Sequence, residues 1–318
     1  MSPRDVLKGI AVLVCLPFAL MACGGDAVSP EVDGPDARPP IVAAPDPADQ
    51  PAENPIEQPA EPEPLPPPPE GTPLPPPSSV VLSIVSEGGF VPVERALGRL
   101  PTMVVYEDGT IVQPGPVPEI YPGSLLKPLE AGRLAESELA TLFQEIREAR
   151  VFNPDADFGF PGVTDLDSTT IEVVLDGARR LATAYALYEE FADDPALTPD
   201  QTDARAELMS IVSAAFAAAA SVTEWTEPGV GDIVVWTLPY FAPQDIDAGP
   251  EIKWPLETDA ISVDPTLERG CVELSGAAAR MVLQAARPAT QLSPWMIGTE
   301  QYSVVIRPRL LEQDRCEP

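Results

Sequence analysis

No histidine occurs anywhere in the 318 residues of this chain. That absence removes the ordinary general base near neutral pH, the usual activator of serine and cysteine nucleophiles, and the commonest metal ligand. Ser-His-Asp and Cys-His catalysis are excluded, and His-ligated zinc chemistry with them. Basic residues are scarce too. Nineteen Lys and Arg stand against fifty Asp and Glu, a formal charge of −31. Such a surface repels nucleic-acid phosphates and anionic lipid headgroups, so neither is expected as a ligand, whereas cations and basic partners fit better. No cofactor is expected. Cysteine is sparse as well, with four in all.

The N-terminus reads as an export signal. Arg4 and Lys8 form a short basic region, followed by an apolar run from Ile10 to Ala22 that contains Pro17. That run is too short to span a bilayer comfortably. It ends in Leu20-Met21-Ala22-Cys23 and continues with Gly24-Gly25. These four residues resemble the lipobox of bacterial lipoproteins, with Met21 a less usual occupant of its position. The resemblance implies a diacylglycerol on the Cys23 thiol and cleavage just before it. Each buried acyl methylene adds about 0.8 kcal/mol, so two or three chains anchor stably where one does not. Attachment to the outer face of a membrane is the localisation expected, and a plain secretory signal or single-span anchor is the alternative. Gly24 rather than Asp follows the cysteine, so the inner-membrane retention signal of some double-membraned bacteria is missing.

The cysteine count agrees with export. Cys15 falls in the discarded run and Cys23 is consumed by lipid, which leaves Cys271 and Cys316. An even pair in an oxidising compartment points to a disulfide, against two free thiols.

Proline is what the chain has in excess, 42 residues of it, and much of it lies between Gly24 and Ser78. Pro, Ala, Glu and Asp dominate there, and aromatics are absent. Runs such as Pro66-Pro67-Pro68-Pro69 cannot form a helix and cannot bury apolar surface, so a disordered, extended linker is expected. At polyproline spacing it would reach about 150 Å.

Beyond the linker the pattern changes to short strands and amphipathic helices. Val80–Val85 reads as a strand. Met103–Tyr106 and Thr110–Val112 flank Asp108-Gly109, which predicts a two-residue turn of the primed type, and Asp176-Gly177 predicts a second hairpin. Leu139, Leu142, Phe143 and Ile146 share one face of a helix predicted over 136–149. Thr198-Pro199-Asp200-Gln201 has the form of a capped helix start. Residues 223–231 look like a junction, after which strand, strand, helix and strand follow to Arg307. Strands and helices in separate runs argue an α+β fold of antiparallel hairpins packed with amphipathic helices, in one body or two small subdomains. The expected division is a signal at 1–22, a lipidated linker at 23–78, an α+β domain at 79–225 and a smaller one with the disulfide at 226–318.

The pattern Tyr106-Glu107-Asp108-Gly109, an amphipathic helix, then Val163-Thr164-Asp165 before Thr169–Val173 and Asp176-Gly177 resembles an uncharacterised family of exported proteins and lipoproteins from high-GC bacteria. The likeness spans residues 80–225 and implies an α+β domain without a known activity. Ala135 stands where that family often has a helix-capping serine. The tail, with its paired cysteines and Arg307-Pro308, is similar to uncharacterised lipoproteins of the same group.

Candidate chemistry is thin. Ser124-Leu125-Leu126-Lys127 has the Ser-x-x-Lys spacing of penicillin-binding enzymes, but Pro128 disfavours a helix at the lysine and no partner motif occurs. Asp155, Asp157, Asp165 and Asp167 crowd one loop and could offer oxygens to calcium, although the spacing is not that of an EF-hand. Capped turns are the simpler use for those four residues, and for Asp193, Asp194, Asp200 and Asp203. Trp225, Trp236, Trp254 and Trp295 could line a stacking groove or fill core. Nothing in the spacing nominates two carboxylates for glycoside cleavage. The expectation is a tethered, non-catalytic module that binds an envelope protein or wall component, with a carboxylate hydrolase of wall polymers as the rival.

Overall fold

The computed structural model describes residues 71–258, 261–264 and 269–316. The signal, Cys23 and the linker up to residue 70 lie outside the described residues.

Two six-stranded sheets carry the fold, and each is built from one stretch of chain. The first contains β1 (Val80–Gly88), β2 (Met103–Tyr106), β3 (Thr110–Pro114), β4 (Leu129–Arg133), β5 (Asp167–Leu175) and β6 (Ala178–Tyr185). Its order is β4-β3-β2-β1-β5-β6, antiparallel throughout. The second contains β7 (Asp232–Pro239), β8 (Ile252–Lys253), β9 (Ser262–Asp264), β10 (Arg269–Ser275), β11 (Trp295–Ile297) and β12 (Glu300–Pro308). Its order is β8-β11-β12-β7-β10-β9, antiparallel except where β8 pairs with β11. Among the described residues there are four α-helices: α1 (Val93–Leu97), α2 (Glu136–Glu148), α3 (Pro199–Ala220) and α4 (Gly276–Ala286). The class is α+β, as the separate runs of strands and helices imply.

The hydrophobic pattern decides which faces are covered. On β5, Ile171, Val173 and Leu175 alternate inward, and on β6 Ala182 and Ala184 do the same. These side chains meet Leu142 and Ile146 of α2 and Leu208, Ile211 and Ala215 of α3 in one core. Leu139 and Phe143, on the same stripe of α2, pack against it from its edge. In the second sheet Ile233 and Val235 of β7 face Ala279, Val282 and Ala286 of α4.

Turn chemistry is partly as expected. Asp176 and Gly177 both have positive φ, 51° and 76°, and Leu175 pairs with Ala178, which is the two-residue primed turn. The Asp108-Gly109 hairpin differs. Val105 pairs with Ile111, Gly109 alone of the two has positive φ, and its N–H donates to the Tyr106 carbonyl at 2.9 Å. Three residues therefore connect β2 and β3, not two. Asp108 serves as an acceptor, taking the Thr110 amide at 2.9 Å and the Arg133 guanidinium of β4 at 3.0 Å.

Ordered structure also begins before Ser78, where the linker was expected to end. Residues 71–74 run beside Gly229, whose N–H donates to the Thr72 carbonyl at 2.8 Å. The backbones approach so closely that a Cβ on Gly71 would stand 2.3 Å from the Glu227 carbonyl oxygen. Only glycine fits there. Leu74 then reaches the seam between the sheets.

That seam is closed from the C-terminus. β12 belongs to the second sheet, and the residues after it cross to the uncovered face of the first. Leu310 and Leu311 bury themselves there against Val104, Tyr106, Val112 and Leu129. The crossing is held by Asp314, which is nearly inaccessible. Its Oδ2 accepts the amides of Leu310 and Leu311 at 3.1 and 2.9 Å, and Oδ1 lies 3.3 Å from Arg307 Nη2. The Arg307 guanidinium in turn stacks over Trp236, 4.9 Å from the ring centre. Cys316 is joined to Cys271 of β10 by a disulfide, and its amide donates to Glu273 at 3.2 Å. Closing a 45-residue separation contributes about 4 kcal/mol on the chain-entropy account. On the other side, Leu97 of α1 packs with Trp236, Leu238 and Val305 beside the disulfide.

Burial pushes the Asp314 carboxyl above its ordinary range, although Arg307 and the two amides pull it back. The folded chain thus holds that proton more firmly than the unfolded chain, so stability falls as pH rises through the window above the ordinary carboxylate value. Asp108 and Asp157 have the opposite sign. Partial burial opposes the shift in Asp108, but Thr110 and Arg133 win, and Gln201 and Gly159 lower Asp157. Their contribution is lost as pH drops below that value. The expected urea midpoint is therefore highest in mildly acid solution. Asp314→Asn should flatten the decline towards neutrality, and an unchanged slope in that variant would contradict the assignment.

Candidate functional site

The acidic loop does structural work. Asp157 accepts the Gly159 amide at 2.9 Å through one oxygen and the Gln201 side-chain amide at 2.7 Å through the other. Gln201 is also the third residue of a capping box, taking the Thr198 amide at 2.9 Å. One glutamine therefore fixes both the start of α3 and the loop beside it. Asp165 adopts positive φ at 64° in a turn. Asp167 opens β5, and its carboxylate accepts the Tyr188 hydroxyl, a bond that pushes the phenol up to about 12. Asp155 is exposed. Among the described residues no three acidic or cysteine side chains form a cluster able to hold a metal ion. Asp155, Asp157 and Asp165 are thus spread along the loop before β5, and Asp167 opens that strand.

The Ser-x-x-Lys pair is divided by its surroundings. Ser124 sits in an isolated bridge with Thr290, and Lys127 Nζ donates to the Gly98 carbonyl at 2.6 Å. Desolvation of that ammonium, then Arg95 and Arg99 nearby, lower the lysine pKa. The amine tethers α1 to the loop; it is not directed at the serine.

Three of the four tryptophans are core residues rather than the lining of a groove. Trp254 and Trp295 meet edge to face at 6.0 Å beneath the second sheet, and Trp236 is buried under Arg307. Trp225 is half-buried against the first core.

Arg205 is the residue that sequence reasoning missed. It is 1% exposed, on the inner face of α3. Its Nη1 donates to the carbonyls of Phe158 and Tyr185 at 3.3 and 3.0 Å, and Nη2 donates to the carbonyl of Ala186. Burial lowers its pKa, with Asp194 acting the other way. The sequence held a signal for this. Arg205 falls in register with Leu208, Ile211, Ala215 and Ala219, the buried stripe of α3. A cation on an apolar stripe is costly unless hydrogen-bonded, and here main-chain oxygens do the bonding.

What faces solvent is a different kind of chemistry. At one end of the second sheet, register aligns Pro239 of β7 with Tyr302 of β12, and Tyr302 with Trp295 of β11. The chain leaving β7 therefore emerges beside the turn that enters β11. Two long loops are fastened to that turn. From the β3–β4 loop, Gly123 accepts the Gln291 amide at 2.9 Å and the Leu125 amide donates to Ala289 at 3.0 Å. From the β7–β8 loop, the Ala248 carbonyl accepts the hydroxyls of Thr290 and Ser293 at 2.6 and 3.3 Å. Fastened in this way, the first loop exposes Ile120 and Tyr121 and the second Phe241 and Ile246, with Phe241 81% accessible. Tyr240 and Tyr302 are half-buried at the same end. Neither residues 115–124 nor residues 240–251 include a Lys or Arg, whereas Glu119, Gln244, Asp245 and Asp247 are among them. Two shallow hollows elsewhere, of ≈ 250 and ≈ 280 Å³, are smaller than an ordinary small-molecule pocket.

Replacing Arg205 by Ala would strand three carbonyls and leave a void, at a cost of about 3 kcal/mol or more. Arg205→Met restores volume without the hydrogen bonds and should recover part of that loss. Urea denaturation of the three proteins measures it, and an alanine variant as stable as the parent would refute the role.

No family model, no curated protein and no solved structure matches this chain, so its site is read from its own residues.

Proposed function

We propose that the protein is a lipoprotein anchored through Cys23 outside the cytoplasmic membrane, whose folded part binds an envelope component without performing chemistry. The Leu20-Met21-Ala22-Cys23 sequence supports the anchor. The Cys271–Cys316 disulfide suits an oxidising compartment. The observation that carries the binding reading is the pair of fastened loops exposing Ile120, Tyr121, Phe241 and Ile246 at one end of the second sheet. Exposed apolar and aromatic side chains carried on ordered loops are what recognition of a partner uses.

A carboxylate hydrolase would need an acid with a raised pKa facing a cleft beside a second carboxylate. Among the described residues the carboxyl pushed upward is Asp314, and its oxygens are committed to Leu310, Leu311 and Arg307. That carboxyl belongs to the clasp, not to a catalytic pair.

In bacterial cells expressing the full chain, Cys23→Ala should abolish incorporation of labelled palmitate and move the protein from the membrane to the soluble fraction. In-cell cross-linking of the unmodified chain should then give one saturable envelope adduct. Membrane retention of the alanine variant without acyl label would defeat the anchor, and an absence of any adduct would defeat the binding reading.

A further inference from the structure

An open sheet ends in strands whose outer main-chain groups lack partners, and folded proteins usually blunt such edges. In the second sheet the edge strands β8 and β9 span only two and three residues. The β4 edge of the first sheet is capped by Thr226, which exchanges both main-chain hydrogen bonds with Ala131 at 2.8 and 2.9 Å. The opposite edge is different. β6 runs for eight residues without a proline or a shift of register.

Register shows which of its groups are free. The primed turn closes on the Leu175–Ala178 pair, so Ala178, Arg180, Ala182 and Ala184 turn their amides and carbonyls towards β5. Arg179, Leu181, Thr183 and Tyr185 turn theirs away from it. Two bonds fix that parity: the Ala186 amide donates to Asp167 at 2.8 Å, and the outward Tyr185 carbonyl accepts Arg205 at 3.0 Å. Arg205 therefore closes the far end of the edge. Among the described residues, the amides and carbonyls of Arg179, Leu181 and Thr183 meet no protein group. All three residues are exposed, and Leu181 is 58% accessible although it is apolar.

The spacing selects the occupant. Donors and acceptors recurring at every second residue along an edge match the main chain of another strand. The free stretch is also symmetric about Leu181. A second copy of β6, antiparallel and centred there, sets Leu181 against its own counterpart and Arg179 against Thr183, so every free amide and carbonyl is used. Sliding the copies by two residues sets a free position against the Gly177 turn, or against the Tyr185 carbonyl that Arg205 already holds. Charge permits the approach. Arg179 is paired with Glu172 and Glu312 of its own chain, and the antiparallel arrangement places it beside Thr183 rather than beside the same arginine of the other copy.

We propose that β6 is a self-association edge, at which two copies of the chain join their first sheets through antiparallel β6 strands with Leu181 on the twofold axis. Such pairing rests neither on Cys23 nor on the loops of the second sheet, so its failure leaves the binding reading in place.

The test uses the mature chain from residue 23 onward with Cys23→Ala and the Cys271–Cys316 disulfide intact, in sedimentation equilibrium from about 1 to 100 µM. The mass should rise from one chain to two and stop there, since pairing consumes the edge. Leu181→Glu sets like charges face to face on the axis, and Thr183→Pro removes an outward amide that the β5 ladder does not use. Each should weaken association by roughly tenfold or more, at an unchanged melting temperature in dilute solution where the parent is monomeric. Leu181→Cys treated with a short bis-maleimide should give a covalent dimer, whereas Met281→Cys, at a site 47% exposed on α4, should not. A parent that stays monomeric, a dimer indifferent to both edge substitutions, or equal cross-linking at Met281 and Leu181 would each overturn the inference. If Leu181→Cys in cells joins the chain to a different protein and not to itself, the edge receives a foreign strand and self-association falls.

Discussion

The seam between the two sheets is closed by a short tail that carries one buried carboxylate. Asp314 gathers the amides of Leu310 and Leu311 and faces Arg307, and the geometry this imposes drives both leucines into the uncovered face of the first sheet. Without them Val104, Tyr106 and Val112 would present an apolar face to water on β2 and β3. A buried ion pair is seldom a large net source of stability, since desolvation offsets most of the attraction. Its value here is geometric. It dictates where the tail turns, and the apolar contacts that follow supply the energy. Tyr106 registers the closeness of the join: burial raises its hydroxyl pKa most, and Asp314 raises it next. The disulfide then fastens the last described residue of the tail to β10.

The first sheet uses the same device in another form. Among the described residues no carboxylate stands in ion-pair contact with the buried Arg205, and main-chain carbonyls of two separate segments converge on it. Phe158 lies in the loop before β5, whereas Tyr185 and Ala186 close β6. One side chain on α3 thus ties the loop before β5 to the end of β6. Asp157, through Gln201, joins the same loop to the start of α3. In that stretch Asp157 serves the loop and the cap of α3, and Asp167 accepts the Tyr188 hydroxyl.

Much of the local structure was legible because it depends on nearest neighbours. The capping box at Thr198, the primed turn at Asp176-Gly177 and the apolar stripe of α2 all follow from spacings of four residues or fewer. The Asp108-Gly109 turn was misjudged because one residue of register separates a two-residue loop from a three-residue loop, and the pairing of Val105 with Ile111 decides it. The tryptophans were ambiguous for the opposite reason. Whether Trp254 is core or groove depends on Trp295, 41 positions later in the chain, and on α4. The tail clasp could not be foreseen beyond its disulfide, since nothing local marks Asp314 as buried among fifty acidic residues. The exposed loop pair was invisible for a similar reason: Tyr121 and Phe241 come to one end of the sheet only through the turn at 289–293.

These constraints frame the functional reading. Clasp, disulfide and buried arginine tie together the elements from which the candidate contact loops project. Native-state hydrogen exchange tests the central claim most directly, by following the amides of Val104 in the first sheet and Trp236 in the second. In the intact chain the two should exchange with the same opening free energy, because the clasp makes the sheets unfold together. After removal of residues 310–318 the values should separate, with the first sheet losing more protection. Equal protection retained in the shortened chain would show that the sheets are coupled by something other than the tail.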